Sequence, residues 1–187
     1  MPFESSVSNE RQRRAFLQGL GACLVCDVLR GPTAWAGGLR VGAPAPAATL
    51  VTLDGQRIST TELRGQVVIL TFWATWCSPC RAEMPQLDAF YKRYRARGLE
   101  LLGVSVDDAQ DRDAVVRVMK SFSYPAALAA AAKANDFGAP IAVPMTWIID
   151  AKGVVRARLM AGNAATLQSL EQAVLPLLPQ AAATHAP

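Results

Sequence analysis

The stretch V-V-I-L-T-F-W-A-T-W-C-S-P-C-R-A-E-M-P, residues 67–85, decides the fold. Its first eight residues, 67–74, are β-branched, aromatic or apolar without a break, which is typical of a strand buried on both faces. Over residues 79–97, apolar side chains recur at steps of three and four, and this spacing predicts a helix. Cys77 lies between the two elements and Cys80 lies in the first turn of the predicted helix, so the sequence places a cysteine pair at the start of a helix.

The spacing of this pair suits the exchange of thiols and disulfides. Two intervening residues let the sulfur atoms meet across the first helical turn, where free amides and the helix dipole favour a thiolate. A free cysteine has a pKa of about 8.5, and such surroundings lower it to roughly 3.5–7.5. We therefore expect one sulfur to be exposed, with Cys77 as the attacking thiolate and Cys80 resolving the mixed disulfide.

The rest of the chain predicts an α/β fold. Asp54-Gly55 between two short strand-like stretches is typical of a β-hairpin turn. Strands then alternate with helices, which implies a central sheet with helices on both sides. The other expected strands cover 48–53, 56–59, 99–106, 124–128, 145–150 and 154–160, and the other expected helices cover 111–121, 129–137 and 166–178.

Metal and cofactor sites are not expected. A structural zinc site needs four ligands, whereas the body of the chain holds one cysteine pair and the only histidine, His185, lies in an Ala/Thr/Pro tail. The acidic stretch over residues 107–113 lacks the residue order and glycine of an EF-hand, and we interpret it as a loop and a helix cap. Apart from the redox-active Cys77–Cys80 disulfide, the sequence predicts no cofactor.

The composition fits a globular protein, with 51% apolar and 18% charged residues. Without residues 1–36 the chain keeps 15 basic and 12 acidic residues, a surplus too small to indicate a nucleic-acid partner. The basic and aromatic stretch at residues 91–97 ends a predicted helix, where cations complement the helix dipole. We interpret it as a solvated helix end.

The N-terminal residues resemble an export signal. Arg13-Arg14 with Phe16-Leu17 is similar to a twin-arginine core, and a short apolar stretch and a small-x-small end at Ala36 follow. An amphipathic N-terminal helix is the alternative. Cleavage near Ala36 predicts a soluble periplasmic protein, and lipidation of Cys23 would give a membrane-tethered form. The expected organisation is a signal at 1–36, a linker at 37–46, the domain at 47–178 and a disordered tail at 179–187.

The motif W-C-S-P-C-R-A-E-M-P within this context resembles the TlpA/ResA-like branch of the thioredoxin superfamily. The D-G hairpin, G-V-S-V-D at residues 103–107 and V-P-M-T-W-I-I-D at residues 143–150 agree with that branch, and the likeness spans about residues 40–178. The resemblance implies a thioredoxin-like fold, a central mixed β-sheet flanked by helices, with an N-terminal β-hairpin extension. Thr71 stands where cytosolic thioredoxins carry a buried Asp, and Met145 follows Pro144 where Thr is usual.

The resemblance also assigns roles to residues around the pair. Pro144 matches the family's cis-proline, and Val143 before it would pair with an extended stretch of the partner protein. Glu83 matches an acidic residue thought to assist proton transfer, and its i, i+3 spacing from Cys80 puts both on one helical face. A first-turn Glu favoured by the helix dipole is the alternative. Trp76 either shields the thiolate or packs in the core.

These residues predict an exported enzyme that reduces disulfides of envelope proteins, of the cytochrome c maturation or copper-site assembly type. A membrane-embedded donor would supply electrons, and the protein would act as a monomer. A disulfide oxidase or isomerase and a Cu(I)-binding metallochaperone remain alternatives. A peroxidase is not expected, because peroxiredoxins carry a Pro upstream of the reactive cysteine and none occurs between Gly65 and Cys77.

Overall fold

A computed structural model describes residues 39–131, 138–160 and 165–179, together with the backbone of residues 134–135. The strands are β1 (Ala48–Val51), β2 (Arg57–Ser59), β3 (Val67–Trp73), β4 (Leu99–Ser105), β5 (Ala126–Leu128), β6 (Ala134–Asn135), β7 (Met145–Ile149) and β8 (Val155–Met160). The helices are α1 (Ser78–Tyr94), α2 (Arg112–Met119) and α3 (Leu167–Val174). No helix in this described part is long and apolar enough to cross a membrane.

The predicted strand at residues 67–74 forms the centre of a five-stranded mixed sheet. Every residue of β3 is buried, and the strand order is β5-β4-β3-β7-β8. β4 runs parallel to β3 and pairs Trp73 with Ser105, whereas β7 runs antiparallel and pairs Phe72 with Met145. The carboxyl ends of β3 and β4 therefore meet at one edge, and this edge carries the cysteine pair.

The two faces of this sheet are covered differently. Side chains of α1, α2 and α3 pack in one apolar cluster with alternate residues of β3, such as Ile69. The other residues of β3, such as Leu70, pack in a second cluster with Leu50 of β1 and Leu39. A continuous apolar strand requires cover on both faces, but it does not specify what supplies it. Among the described residues, the second face is covered by the hairpin sheet and not by any of the helices α1–α3.

The predicted hairpin is confirmed as a separate small sheet. β1 and β2 pair antiparallel around the Asp54-Gly55 turn, and Gly55 has a φ of 89°, which suits glycine. β6 pairs with the other side of β1. The fold is therefore a thioredoxin-like α/β fold with an N-terminal β-hairpin extension.

The prediction of a helix over residues 129–137 is wrong. Residues 129–131 form a single 3-10 turn and residues 134–135 form β6. Alanine favours a helix in isolation, but pairing with the exposed edge of β1 overrides that local preference. The other predicted helices and strands are confirmed, with ends that differ by a few residues.

Part of the predicted linker is bound to the domain. The backbone of Gly42 donates to Val155, and the backbone of Ala45 donates to Gly153. Residues 42–45 therefore lie along the β7–β8 hairpin. The predicted signal at 1–36 and residues 180–187 of the predicted tail lie outside the described residues.

Candidate active site

Cys77 and Cys80 form a disulfide at the start of α1. Their Cα atoms are 5.3 Å apart. Cys77 is the N-cap residue of α1, and its Sγ accepts a hydrogen bond from the Cys80 amide at 3.3 Å. The next residues continue the helix with a proline near its first position, where a missing amide donor costs nothing. The predicted junction of strand, cysteine pair and helix is therefore confirmed.

Both cysteines are shielded in this disulfide state. Cys77 is 5% exposed and Cys80 is 2% exposed, so the expected exposed sulfur is not found. Both belong to the apolar cluster beneath α1. The helix geometry explains the burial of Cys80, because Cys80, Met84 and Leu87 lie on the face of α1 that packs in this cluster. Cys77 retains the larger exposure of the two cysteines, so the side on which Cys77 is exposed is the accessible side of the pair.

Trp76 marks that accessible side. Its side chain is 71% exposed, so it does not pack in the core. It lines an open groove of about 450 Å³ together with Val143, Ile141 and Asp108. Ile141 is also largely exposed, which leaves two large apolar side chains facing solvent beside the disulfide. Isolated apolar residues on a surface are ordinary, but a groove lined by several of them suits a binding role.

The Val143–Pro144 peptide bond is cis, as the family resemblance implied. Val143 lines the groove with Trp76 and packs against the apolar cluster that holds the two cysteines. Pro144 immediately precedes β7, whose first residue Met145 pairs with Phe72 of β3. The structure thus brings Trp76 and Val143 to one groove, with Pro144 at its edge.

Glu83 lies on α1 behind the pair and is 8% exposed. Burial raises the pKa of its carboxyl group, and a hydrogen bond from the Ala165 backbone opposes this in part. Glu83 falls outside the first turn of α1, which contains no acidic residue, so the helix-dipole alternative is wrong. With its pKa raised, this carboxyl group keeps its proton to a higher pH than an exposed Glu does.

Sequence reasoning missed a buried carboxylate that holds the loop before Cys77. Asp107 follows β4, is 4% exposed, and accepts hydrogen bonds from the Thr75 amide at 2.9 Å and the Thr75 hydroxyl at 2.7 Å. Asp108 and Asp111 occupy the N-cap positions of a 3-10 turn and of α2, as the predicted cap requires, but neither side chain makes a capping hydrogen bond. The signal was present, because residues that follow adjacent parallel strands meet at one sheet edge.

The position that holds an Asp in cytosolic thioredoxins is neutral and paired here. Thr71 is buried in β3, and its hydroxyl lies 2.8 Å from the hydroxyl of Thr146 on β7. The two hydroxyls satisfy each other, so this position offers no carboxyl group to the pair. Among the described residues, no group of three or more His, Cys, Asp or Glu side chains is placed to hold a metal ion.

Comparison with known proteins agrees with this geometry. The sequence model of the AhpC/TSA family matches residues 41–158. The thiol-disulfide oxidoreductase ResA of Bacillus subtilis (strain 168) is 30% identical over 153 residues, which are 78% of this chain and 84% of that protein.

Solved structures give the same result. A thiol:disulfide interchange protein of the thioredoxin family from Chlorobium tepidum TLS is 28% identical with a TM-score of 0.63, over 74% of this chain and 97% of that one. A secreted thiol-disulfide isomerase from Corynebacterium glutamicum is 27% identical with a TM-score of 0.60, over 71% and 83% of the two chains. The matched family, the ResA relative and the Cys77–Cys80 disulfide at the helix start lead to one conclusion: this chain belongs to the AhpC/TSA family and is a ResA-like thiol–disulfide oxidoreductase of the thioredoxin superfamily.

Proposed function

We propose that the protein is exported and reduces disulfides in other proteins of the cell envelope. The observation that carries this proposal is the Cys77–Cys80 disulfide at the N-cap of α1, beside an open groove lined by Trp76 and Val143. A groove of this kind accepts a segment of another protein while the pair exchanges electrons with it. Apocytochromes and copper-site cysteines are the substrates that we propose first.

The proposed reaction moves two electrons from the pair to the substrate. The Cys77 thiolate attacks one sulfur of the substrate disulfide, which forms a mixed disulfide and releases one substrate thiolate. Cys80 then attacks Cys77, so that the second substrate sulfur leaves and the Cys77–Cys80 disulfide forms. The substrate gains two electrons and two protons, and the enzyme loses two electrons.

Glu83 is proposed to move a proton during the second step. Cys80 must lose its proton before it attacks Cys77, and Glu83 lies one turn further along the same helix. Because burial raises the pKa of Glu83, its carboxylate is a better proton acceptor than an exposed Glu at neutral pH. Trp76, Val143 and Pro144 are proposed to bind the partner, with the Val143 backbone available for extended pairing.

Three features support export and an external source of electrons. Residues 11–36 follow the order of a twin-arginine signal, and one structural relative is described as secreted. The sequence holds no motif for an organic cofactor, so a membrane-embedded donor would return the pair to its dithiol state. We also propose a monomer, because the pair and its groove both come from one chain.

Trapping of partners tests the proposal. Cys80→Ser removes the resolving thiol, so we expect mixed disulfides between Cys77 and envelope proteins, identified by mass spectrometry after expression with the native N-terminus. Cys77→Ser/Cys80→Ser is the matched control and should trap nothing. Localisation of the wild-type chain outside the cytoplasm is expected in the same cells. A cytoplasmic chain that traps no envelope protein contradicts the proposal.

The redox state of the chain in the cell decides the direction of the reaction. A reductase is expected to be mostly dithiol at steady state, whereas a mostly disulfide chain favours an oxidase or isomerase. A copper titration of the reduced protein, compared with insulin reduction, tests the metallochaperone alternative. Tight Cu(I) binding without insulin reduction would support the copper carrier.

A further inference from the structure

The loop that carries Cys77 has little regular backbone pairing of its own. Between the end of β3 at Trp73 and the start of α1 at Ser78, the carbonyls of Trp73, Ala74 and Cys77 accept hydrogen bonds from the amides of Val106, Cys77 and Arg81 in that order, and none of these three bonds involves Thr75. The side of the loop that contains Thr75 is held by a side chain instead. Its position therefore depends on Asp107.

Asp107 is itself fixed on the end of β4. The Ser105 hydroxyl donates to its Oδ2 at 2.6 Å, and the Asp107 amide donates back to the Ser105 hydroxyl oxygen at 3.1 Å. Ser105 is fully buried, and its backbone lies in β4 next to Trp73. The Thr75 amide and hydroxyl also donate hydrogen bonds to the Asp107 carboxylate. The carboxylate therefore joins β4 directly to the residue two places before Cys77.

We propose that Asp107 is a positioning residue that holds the Thr75–Cys77 loop so that Cys77 stays at the N-cap of α1. This rests on the proposed role of Cys77 as the attacking thiol. In that position the Cys77 sulfur accepts a hydrogen bond from the Cys80 amide and lies at the positive end of the helix dipole. Both interactions stabilise a thiolate. Without the carboxylate the loop gains freedom, and the thiolate loses these two contributions.

The negative charge of Asp107 and its hydrogen bonds have opposite effects on the Cys77 thiolate. A negative charge close to Cys77 disfavours the thiolate, so an effect of charge alone predicts that its removal makes Cys77 more reactive. An effect of position predicts that removal makes Cys77 less reactive. The sign of the change in reactivity therefore separates the two roles.

The test is the rate at which the reduced protein is alkylated at Cys77 as a function of pH, with the modified cysteine assigned by peptide mass spectrometry. Asp107→Asn should slow alkylation at pH 7 about tenfold, which corresponds to a rise of about one unit in the apparent pKa of Cys77. Thr75→Val, which keeps every charge, should slow it about fivefold. Thr75→Ser, which keeps the hydroxyl, should match the wild type.

Asp111→Asn is the charge control. Asp111 is an exposed aspartate four residues further along the chain, does not line the groove and makes no hydrogen bond to Thr75. It should stay within about twofold of the wild type, because its charge is screened by solvent. Thermal unfolding of each oxidised variant checks that the fold is retained.

Three results would overturn the inference. Faster alkylation in Asp107→Asn, with Thr75→Val and Asp111→Asn unchanged, means that Asp107 acts only by its charge. Lower thermal stability with an unchanged pH profile in Asp107→Asn and Thr75→Val means that its role is only structural. Equal alkylation rates for Thr75→Val and Thr75→Ser mean that the Thr75 hydroxyl does not hold the loop. If wild-type alkylation falls on Cys80 instead of Cys77, the proposed function fails and not this inference alone.

Discussion

Two buried aspartates at opposite ends of the central sheet each hold a loop, and they differ in what they hold. Asp107 follows β4 at the end that carries the cysteine pair, and it accepts the amide and hydroxyl of Thr75. Asp150 follows β7 at the other end, and it accepts the amides of Lys152 and Val154 within the β7–β8 turn. In both loops, hydrogen bonds to a carboxylate add to the backbone hydrogen bonds.

The difference lies in their partners. Asp150 also pairs with Arg156 at 2.6 Å, so a cation balances its charge, whereas the hydrogen bonds to Asp107 come from neutral groups of Thr75 and Ser105. A paired carboxylate in a turn stabilises the fold. A carboxylate with neutral donors beside a reactive cysteine keeps an uncompensated charge near the reaction. We therefore expect changes at the Asp150 end to alter stability and changes at the pair end to alter reactivity.

The largest effect is expected at Cys77. Cys77→Ser removes the proposed attacking sulfur and should lower insulin reduction at least about a thousandfold, because serine does not form the mixed disulfide. The free energy of unfolding of its reduced form should stay within about 1 kcal/mol of the reduced wild type, since the two side chains are similar in size. Turnover assays and urea unfolding measure both. Turnover of Cys77→Ser near the wild-type rate would mean that Cys77 is not the attacking sulfur.

Asp150→Asn should show the reverse behaviour. Loss of the ion pair with Arg156 should lower the free energy of unfolding by about 1–3 kcal/mol, and kcat/KM should stay within about twofold of the wild type. Burial would raise the pKa of Asp150, but hydrogen bonds and the Arg156 charge lower it below the usual 3.8. Its contribution is therefore present above about pH 4 and is lost as the pH falls through the lowered pKa.

Urea unfolding of the wild type and Asp150→Asn between pH 3 and pH 7 measures this dependence. Glu62→Gln is the control, because Glu62 is an exposed carboxylate in another turn. A fall in kcat/KM of more than about twofold in Asp150→Asn, measured at a pH where the variant is still folded, would contradict the division between the two ends.

Glu83→Gln should change both stability and reactivity, because Glu83 is a buried carboxyl group close to the cysteine pair. Burial raises its pKa above 4.5, so folding becomes less favourable as the pH rises from the unfolded pKa through the folded one. The variant should therefore gain stability relative to the wild type as the pH rises from 4 to 8, and should equal it below pH 4. The pH profile of insulin reduction should also shift. An unchanged profile would leave Glu83 without a role in proton transfer.

The smallest effect is expected at Trp76. Because its side chain is exposed, Trp76→Ala should not change the free energy of unfolding by more than about 0.5 kcal/mol. Loss of its apolar surface in the groove should raise KM for a protein substrate about threefold. Reduction of a small disulfide, which does not fill the groove, is the control and should be unchanged. An equal loss with both substrates would mean that Trp76 acts on the thiolate and not on the partner.

The sequence predicts the centre of the fold well because its signals there are local. The unbroken apolar run of residues 67–73 and the helical spacing after Cys80 each determine one element, and the cysteine pair then lies between them. Gly98 has a φ of 82° at the end of the following 3-10 turn, as a glycine after a helix predicts.

Features that depend on distant pairing were not predictable in the same way. The alanine-rich residues 129–135 favour a helix by themselves, and only the free edge of β1 makes part of them a strand. The contact between Thr75 and Asp107 joins residues 32 positions apart, so neither residue stands out in its own neighbourhood. The small exposure of Cys77 also results from packing against α1 neighbours, which a cysteine motif does not encode.

The redox state of Cys77 and Cys80, measured by alkylation and mass spectrometry across a series of dithiothreitol redox buffers, shows whether the pair exchanges electrons. We predict one reversible two-electron transition in which both cysteines change together, with Cys77 the first to be alkylated in the reduced protein. A pair that stays unreactive under both strong reductant and strong oxidant would contradict the central claim that this buried disulfide exchanges electrons with other proteins.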